Sequence, residues 1–378
     1  MTFTAIMSDL HLHIVSFDIP YPANYGGVID VFYKAKFLAE KGVKVHLHCF
    51  EYGRKHPKTL EKLFFKVHFY ERDISKKQVF KSIPYVVSSR ISEKMVDVLM
   101  MDDYPILMEG LHTSALLNNE RLAGRKLLVR AHNIEHEYYE HLAKAEPDLF
   151  KRYYYSNEAS KLKRYEKVLH KADYILAISE NDKNYFAKHY DHVELIPAFH
   201  PFKEIHSQTG RGKYVLYHGN LSVAENINAV NFLLENVFNH SDIPFIVAGL
   251  NPAKQIKSLT NKMENVQLIA NPDDQHLQDL IENAHINISI TAQKTGLKLK
   301  LLNNLYNGRF CLVNDKMLSG SQLDELCVIA NNEVTLKRKI KNLIKKEFTV
   351  DSIRMREQIL GKMYNNGQNV DHLIKLLT

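Results

Sequence analysis

The sequence lacks the features that mark several large classes of protein. Only 3 of its 378 residues are cysteine, and their scattered positions suit neither a disulfide scaffold nor a metal site, which favours a reducing compartment. No apolar run reaches the roughly 20 residues that a membrane-spanning helix needs. The N-terminal residues lack the basic segment and cleavage site of a signal peptide, so we expect a cytoplasmic protein.

Further absences concern ligand-binding motifs and repeats. The chain contains 20 histidines, but neither its HLH segments nor HNIEHE has the spacing of a zinc motif such as HExxH, so we expect no metal. The GxGxxG fingerprint of dinucleotide-binding proteins is also missing. No repeat of roughly 20–50 residues is visible, which argues against a solenoid or propeller.

The composition is that of a globular protein with room for two domains. The chain is 45% hydrophobic and 25% charged, without a low-complexity tract. The net charge of +7 fits an anionic partner, whether a nucleotide, a nucleic acid or an acidic membrane surface. No recognised nucleic-acid motif accompanies the charge, so we expect no nucleic-acid partner.

Strand-like and helix-like segments alternate along the whole chain. At its start, HLHIVSF predicts a buried strand, DIPYPANYGG a loop, VIDVFYKAKFLAEKG a helix and VKVHLHCF the next strand. Such βαβ units build parallel sheets, and the alternation restarts after residue 213, so we predict two doubly wound domains of the α/β class. The predicted boundaries are 1–200 for the first domain, 201–213 for a polar linker and 214–378 for the second domain, with the option that the last helix crosses back.

Residues 291–308, TAQKTGLKLKLLNNLYNG, organise the second half. They follow a strand-like run and carry leucines at helical spacing, with Gly308 where a helix end favours a residue that tolerates positive φ. Gly296 at the helix entrance leaves space for a ligand. Lys298 and Lys300 lie near the helix N-terminus, which already favours an anion, so a phosphate or diphosphate site is one interpretation. Two solvated surface lysines are the other.

Polar residues also follow predicted strands of the first half. Gly26-Gly27 allows the backbone to approach a ligand, although an ordinary tight turn explains the pair as well. His132 and Asn133 follow the strand KLLVRA, with Arg130 and Glu135 as possible partners, and the alternative is that His132 caps the next helix. Since α/β sheets bind ligands at the carboxyl ends of their strands, we expect these residues to face a cleft between the domains.

Six segments together resemble a known family over nearly the whole chain. They are IPYPANYGG, RAHNIEHEYY, ADYILAISENDKNYF, YHGNLSVAENINAVNFL, IPFIVAG and TGLKLKLLNNLYNGRFCLV. The sequence resembles retaining glycosyltransferases of the GT-B fold, specifically the family 4 (group 1) enzymes. The resemblance implies two Rossmann-like domains facing across a cleft. It also implies transfer of a sugar from a nucleotide-sugar, UDP- or GDP-linked, to a sugar, lipid-linked or other hydroxyl acceptor, without a separate cofactor.

The resemblance also implies roles for individual residues. His132 is expected near the transferred sugar, and Lys298 and Lys300 are expected to stabilise the leaving diphosphate, so that no metal is needed. A donor phosphate oxygen is expected to accept the proton of the acceptor hydroxyl, which makes positioning the main task of the protein. The implied donor-binding residues are Gly26, Gly27, Gly219, Asn220, Asn226, Thr295, Gly296, Leu299 and Asn303, and the implied acceptor-side residues are Tyr25, Asn133 and Glu135.

The chain departs from the family pattern where two glutamates are usual. Thr295 and Asn303 occupy those positions, and an amide can bind a ribose hydroxyl but is not a carboxylate. The leading hypothesis is a glycosyltransferase in polysaccharide, lipopolysaccharide or glycolipid synthesis. The alternatives are a nucleotide-sugar epimerase of the same fold, which needs carboxylates in the cleft, and a catalytically degenerate partner or binding protein.

A basic, tyrosine-rich helix pair at residues 137–172 adds a further expectation. Its polar face suits a membrane surface or an acidic partner, although such faces are most often simply solvated. A peripheral place at the inner membrane face is therefore an option for this cytoplasmic protein.

Overall fold

The computed structural model describes residues 10–294, 296 and 299–378. The predictions for Thr295 and Lys298 therefore lie outside the described residues. Within those residues, no helix combines the length and the apolar character required to cross a membrane.

The described residues form two parallel sheets, as the alternating pattern predicts. The first sheet has seven strands in the order β3-β2-β1-β4-β5-β6-β7, and the second has six in the order β10-β9-β8-β11-β12-β13. The strands are β1 His11–Ser16, β2 Lys44–Glu51, β3 Lys66–Glu71, β4 Ile106–Glu109, β5 Leu127–Ala131, β6 Tyr174–Ala177, β7 Val193–Leu195, β8 Val215–Asn220, β9 Phe245–Leu250, β10 Val266–Ala270, β11 Ile286–Ser289, β12 Phe310–Val313 and β13 Val328–Ile329.

Helices connect the strands and cover both faces of each sheet. The α-helices are α1 Gly26–Glu40, α2 Lys58–Leu63, α3 Tyr85–Ser88, α4 Glu93–Leu99, α5 Glu135–Ala145, α6 Leu149–Tyr165, α7 Glu180–Phe186, α8 Ala224–Phe232, α9 Lys254–Thr260, α10 Asp274–Asn283, α11 Leu299–Asn307, α12 Asp315–Leu318, α13 Glu333–Leu343, α14 Val350–Met363 and α15 Asn366–Leu377. Because both faces are covered, strands β4, β5 and β6 are apolar in most positions, whereas β1 and β2 alternate apolar residues with histidines.

The first domain has a hydrophobic core on each side of its sheet. On one side, Ile14 and Leu128 pack with Val31 of α1 and Leu373 of α15. On the other side, the neighbouring strand residues pack against α4 and α6. The last helix of the chain therefore lies on the first domain, where it completes the core beside α1.

Helix α11 in the second domain is anchored by leucines. Leu301, Leu302 and Leu305 are fully buried, and each such burial contributes roughly 1.5–3 kcal/mol relative to exposure. Gly308 follows the helix, but its φ is not positive, so the expectation of a left-handed cap is wrong. Gly308 is instead needed for space, because a Cβ there would lie 2.2 Å from Nδ2 of Asn287.

Two chain segments connect the domains, and they are hydrogen-bonded to each other. His200 opens the linker between the sheets, and its Nε2 lies 2.8 Å from the carbonyl oxygen of Tyr364 at the end of α14. The Asn366 side chain, at the start of α15, donates to the carbonyl of His200 at 2.9 Å. The linker that leads from the first domain to the second and the connection from α14 back to α15 thus lie side by side.

A ladder of histidines occupies the amino edge of the first sheet, away from the cleft. His13 donates from Nε2 to Asp102 at 2.9 Å, because a carboxylate can only accept. Nδ1 of His13 must then accept from Nε2 of His48, at 2.8 Å, and Nδ1 of His48 accepts from the Tyr70 hydroxyl at 2.9 Å. Each donor has an acceptor only while both imidazoles are neutral.

Acid is expected to destabilise the protein through this ladder. His46 on β2 also belongs to this ladder, because its Nε2 lies 2.8 Å from Nδ1 of His11. Burial lowers the pKa of His46 to about 4, and burial also lowers the pKa values of His13 and His48. Between these values and the ordinary value near 6.5, the unfolded chain binds more protons, so the free energy of unfolding falls as pH falls. We expect the melting temperature to decrease by several degrees from pH 7 to pH 4, and the His46→Gln variant to show a shallower decrease.

His206→Gln provides the control, because the side chain of His206 is 53% exposed. This variant is expected to keep the wild-type dependence on pH. Equal slopes for the His46 and His206 variants would show that the ladder does not carry the effect.

Candidate functional site

The carboxyl edges of the two sheets face each other, and loops from both domains touch there. The backbone N–H of Gly296 lies 3.5 Å from Oδ1 of Asp182 in the first domain. The Asn181 side chain donates to the hydroxyl of Ser319 at 2.5 Å. The candidate site is the region around these contacts, where the predicted residues of both halves converge.

Gly296 packs tightly against the first domain. A Cβ at this position would lie 2.2 Å from Oδ1 of Asn133 and 2.8 Å from the carbonyl oxygen of His132. Its φ of 65° also lies in the left-handed region that favours glycine. Asn133 and the carbonyl of His132, in the loop that follows β5, thus occupy the space beside Gly296 that the sequence suggested for a ligand.

His132 lies directly after β5 with its ring enclosed by the first domain. Nε2 is 3.0 Å from Oε2 of Glu109, Nδ1 is 3.9 Å from Asp30, and the Phe17 ring meets the imidazole edge-on at 5.6 Å between centroids. Ile134 occupies the N-cap of α5, and no side chain caps that helix. The alternative that His132 is a helix cap is therefore wrong.

The ring rests on a buried network of four charged groups. Asp30 on α1 receives a bidentate pair of bonds from Arg130, at 2.9 and 3.0 Å, and a third bond from Lys34 at 2.9 Å. Lys34 also reaches Glu109 at 2.9 Å. All four side chains are at most 1% exposed. Two carboxylates and two cations balance one another, which is the condition for tolerating charge in an interior.

The neighbouring charges in this network determine the pKa of the Asp30 carboxyl. Burial alone would raise the pKa of its carboxyl, but Arg130, then Lys34 and His132, outweigh burial and hold the pKa below its usual range. Asp30, Glu109 and His132 each place a ligand atom within 4.8 Å of the others, so they are the group among the described residues that fits a metal ion. Lys34 and Arg130 already satisfy the carboxylate oxygens, which favours ion pairing over metal binding.

Glu135, in the first turn of α5, differs from Asp30 because no cation among the described residues pairs with it. Burial, followed by the nearby Asp182, raises the pKa of Glu135 to about 8, against the opposing effect of a hydrogen bond with Asn133. Its Oε1 lies 4.0 Å from Nδ1 of His112, and Glu135 lines a cavity of about 10 Å³ that suits a single water molecule. At neutral pH this carboxyl is therefore mostly protonated and can donate a hydrogen bond.

The second domain brings together four of the predicted donor-side residues. Nζ of Lys300 lies 5.2 Å from the centroid of the Tyr217 ring and 3.4 Å from Oδ1 of Asn226. Asn226 in turn donates to the carbonyl of Asn220 at 2.9 Å, and its side chain lies over Gly219, where a Cβ would approach to 3.4 Å. The position of the Lys300 ammonium group is thus set by Tyr217 on β8 and by Asn226, which is bonded to the end of that strand.

The remaining donor-side predictions lie on α11. Leu299 begins the helix and is partly buried. Asn303 is also partly buried, and its Oδ1 accepts from Asn307 one turn later at 2.7 Å. This bond leaves the amide NH2 of Asn303 as the group that can donate to a ligand.

Gly26 and Gly27 lie in the first turn of α1 rather than in a loop before it. The space beside Gly26 is open, whereas a Cβ on Gly27 would meet the Phe17 ring at 2.6 Å. Tyr25 precedes the helix and donates from its hydroxyl to Asp18 at 2.7 Å. The glycine pair therefore exposes the helix N-terminus beside the residues that hold His132.

Sequence reasoning missed several residues that shape the site. Asp30 and Lys34 are spaced four apart on a helix and lie among its apolar positions, and Glu109 ends an apolar strand, so a charge within an apolar run was the available signal. Glu225 was also missed. It accepts from the backbone N–H of Ala292 at 3.1 Å and so fixes the loop after β11.

The arrangement of the two domains matches solved structures of glycosyltransferases. HepE from Anabaena, solved with UDP and glucose, aligns with a TM-score of 0.66 at 11% identity, over 97% of this chain and 99% of that chain. TarM aligns with a TM-score of 0.69 at 10% identity, over 98% and 99%. Sucrose-phosphate synthase from Thermosynechococcus elongatus gives 0.68 at 12% identity, over 97% and 98%. The chain has the GT-B fold.

One relative is more similar in sequence. An uncharacterised 44.6 kDa protein of the cps region of Klebsiella pneumoniae is 29% identical over 358 residues, which cover 88% of this chain and 90% of the relative. No protein-family model matches the chain. Membership of family 4 and a retaining reaction therefore stay predictions.

Glu109→Gln is expected to destabilise the protein strongly. The substitution keeps the shape of the side chain but leaves Lys34 buried without its second carboxylate, and breaking a buried pair costs about 3–5 kcal/mol. The change is measured as the shift of the urea unfolding midpoint, monitored by tyrosine fluorescence.

Asp97→Asn is the matched control, because Asp97 pairs with Arg121 on the surface at 2.9 Å and is 61% exposed. That variant is expected to lose less than about 1 kcal/mol. Similar losses for the two variants would contradict a structural role for the buried network.

Proposed function

We propose that this protein is a glycosyltransferase that moves a sugar from a nucleotide-diphosphate sugar to a hydroxyl acceptor. The observation that carries the proposal is the meeting at Gly296. There the carbonyl of His132 and the side chain of Asn133 lie against the loop that leads into α11 and its Lys300. A donor held at the start of α11 has its sugar directed towards the first domain.

The second domain supplies the chemistry that a leaving diphosphate requires. The start of α11 presents backbone N–H groups and the positive end of the helix dipole, and Lys300 adds a cation beside Tyr217 and Asn226. Charge develops on the phosphate as the glycosidic bond breaks, so fixed donors there lower the barrier. Lys298 is proposed from the sequence as a second cation, which gives the site the charge that a metal supplies in other transferases.

The first domain then positions the acceptor and the transferred sugar. We propose a retaining, front-side route in which a donor phosphate oxygen accepts the acceptor's proton, while His132, Asn133 and Glu135 contact the sugar or acceptor. The printed description of HepE as a complex with UDP and glucose supports a nucleotide-sugar donor. Synthesis of a polysaccharide, a lipopolysaccharide or a glycolipid is the proposed setting.

A catalytically degenerate binding protein is the second candidate, favoured by one observation. Asn303 occupies a position where the resembling family has a glutamate, and its amide oxygen is already bonded within α11. A protein of this kind would bind a nucleotide without transferring sugar, so activity assays separate the two candidates.

A contact with an acidic membrane surface is also proposed, on the basis of exposed apolar side chains. Phe80 and Phe150 are 88% and 89% exposed. The segments that carry them, 74–81 and 149–153, contain three and two basic residues respectively and no acidic residue. Lys161 holds the first segment beside α6 through a 2.7 Å bond to the Val79 carbonyl. Apolar side chains among cations suit an anionic lipid surface.

Nucleotide binding is expected to depend on Lys300. UDP or GDP at a hundred times its dissociation constant should stabilise the wild type by about 2.7 kcal/mol, which is a clear rise in melting temperature. A contact to a charged phosphate contributes roughly 1.5–3 kcal/mol, so Lys300→Ala is expected to weaken binding about tenfold or more.

Lys341→Ala removes the same charge from the exposed face of α13 and should leave the shift unchanged. No shift with any nucleotide diphosphate would contradict the donor site. With the nucleotide identified, transfer from its sugar conjugate distinguishes an enzyme from a degenerate partner, and NMR of the anomeric proton in the product shows whether the configuration is retained.

Membrane binding is expected to depend on Phe80 and Phe150. A variant with both residues changed to serine should bind vesicles of phosphatidylglycerol at least tenfold more weakly than the wild type in co-sedimentation, because two apolar contacts are lost. Val334→Ser, at a residue 73% exposed in the second domain, is the control. Equal binding by the control and the double variant would count against this surface.

A further inference from the structure

Two arginines at the carboxyl edge of the first sheet stack on tyrosines, and one of them is poised for a ligand. Arg72 follows β3, and its guanidinium carbon lies 4.6 Å from the ring centroid of Tyr52, which follows β2. The ring of Tyr85 at the start of α3 lies 5.2 Å from the same carbon. Both rings contact the guanidinium, so its orientation is largely fixed before any ligand arrives.

The hydrogen bonds of Arg72 leave its outer edge unused. Nε donates to the Ser89 hydroxyl at 2.9 Å, which fixes the inner edge. Among the described residues, no carboxylate forms an ion pair with Arg72 and no acceptor bonds its two terminal amino groups. The adjacent Asp73 instead accepts from the backbone of Ser75 at 2.9 Å and from the side chain of Gln78.

Arg54 shows what a purely structural arginine looks like in the same region. Its guanidinium also stacks on a tyrosine, 5.0 Å from the centroid of Tyr25. Its terminal groups, however, donate to the carbonyl of Pro22 at 2.6 Å and to Asn24 at 2.5 Å, and its Nε lies 3.4 Å from Asp18. Within the described part of the protein, both terminal amino groups of Arg54 form hydrogen bonds, whereas only Nε of Arg72 does.

A second cation close to Arg72 strengthens the attraction for an anion. Arg90 is 5% exposed, and its guanidinium donates to the carbonyls of Phe17 and Val86 at 2.9 and 2.6 Å. Burial, and then the charge of Arg72, lower the pKa of Arg90 to about 10. Two guanidinium groups that repel each other produce a positive potential at the acceptor side of the cleft.

We propose that the outer edge of Arg72 binds an anionic group, a phosphate or a carboxylate, carried by the acceptor substrate. The inference rests on the proposed function, which places the acceptor on the first domain. Two parallel N–H donors match two oxygens of either group. Because β3 is the edge strand of the sheet, four strands from β5 and His132, the anion is bound away from the reacting centre, on another part of the acceptor.

The anion has two chemical sources that the surroundings allow. Ile74 is 67% exposed and lies two residues from Arg72. It is the first residue of the segment 74–81, which also carries Phe80. A lipid-linked phosphate would place its chain against these side chains. A soluble sugar phosphate or a uronic acid would use the guanidinium alone.

Binding can be measured with a reporter, because the chain contains no tryptophan. In a Tyr52→Trp background, the single tryptophan stacks on Arg72 and should respond to a ligand there. The probes are glucose 1-phosphate, glucuronate and farnesyl phosphate, with glucose and farnesol as their uncharged counterparts.

We expect saturable binding of at least one anionic probe, and no saturation with its uncharged counterpart. Binding of farnesyl phosphate alone identifies a lipid-linked source, and binding of the sugar acids identifies a soluble one.

Substitutions at Arg72 test the geometry as well as the charge. Arg72→Gln is expected to weaken binding about tenfold or more, and Arg72→Lys should weaken it too, since an ammonium lacks the fork. Lys62→Gln removes the same charge from an exposed side chain of α2 and should change the affinity less than about twofold. No saturable anionic probe, or equal losses for the Arg72→Gln and Lys62→Gln variants, would overturn the proposal.

The melting shift with UDP or GDP, measured on the same variants, separates this inference from the proposed function. Arg72→Gln should retain the full nucleotide shift while losing the probe. If no nucleotide binds but the probe still depends on Arg72, the transferase proposal fails and the anion site stands. If nucleotides bind and the probes do not, the reverse holds.

Discussion

The site depends on a balance of charge inside the first domain. Asp30 joins α1 to β5 through Arg130, and its Oδ1 also accepts from the backbone of Phe199 at 2.8 Å. Lys34 continues the network to Glu109 on β4, and Glu109 holds the ring of His132. Removing any one member leaves an uncompensated charge in the buried interior of the domain, which is far more unfavourable than losing one bond. One set of ion pairs therefore fixes both the helix packing and the orientation of the histidine at the cleft.

The two domains contribute to the site in different ways. Around His132 the first presents groups whose charges are already neutralised, together with Glu135, whose raised pKa favours the protonated form, and these suit the neutral hydroxyls of a sugar. The second presents Lys300 and a helix N-terminus, which suit phosphate. The proposed transfer between a charged donor and a hydroxyl acceptor would use this division, and the contact at Gly296 brings the two environments together.

Much of the architecture could be predicted from the sequence, because buried parallel strands produce long apolar runs and helices produce their own spacing. The loops that meet at the cleft could be located for the same reason. The partners of Asp30 could not, since pairing with Arg130 depends on packing between segments 100 residues apart. Gly308 shows the same limit: its place after α11 was clear, but its proximity to Asn287 is a property of the folded sheet.

The joined crossings at His200 and Asn366 determine how the two halves can move. Because the two polypeptide connections are bonded side by side, they behave as one pivot rather than as two separate tethers. Sliding of one half past the other would pull these bonds apart, whereas rotation about them leaves them intact. The two halves are thus restricted to a hinge rotation about this pivot, which opens and closes the cleft. A small rotation at the pivot produces a large change in the width of the cleft on the side farthest from the pivot.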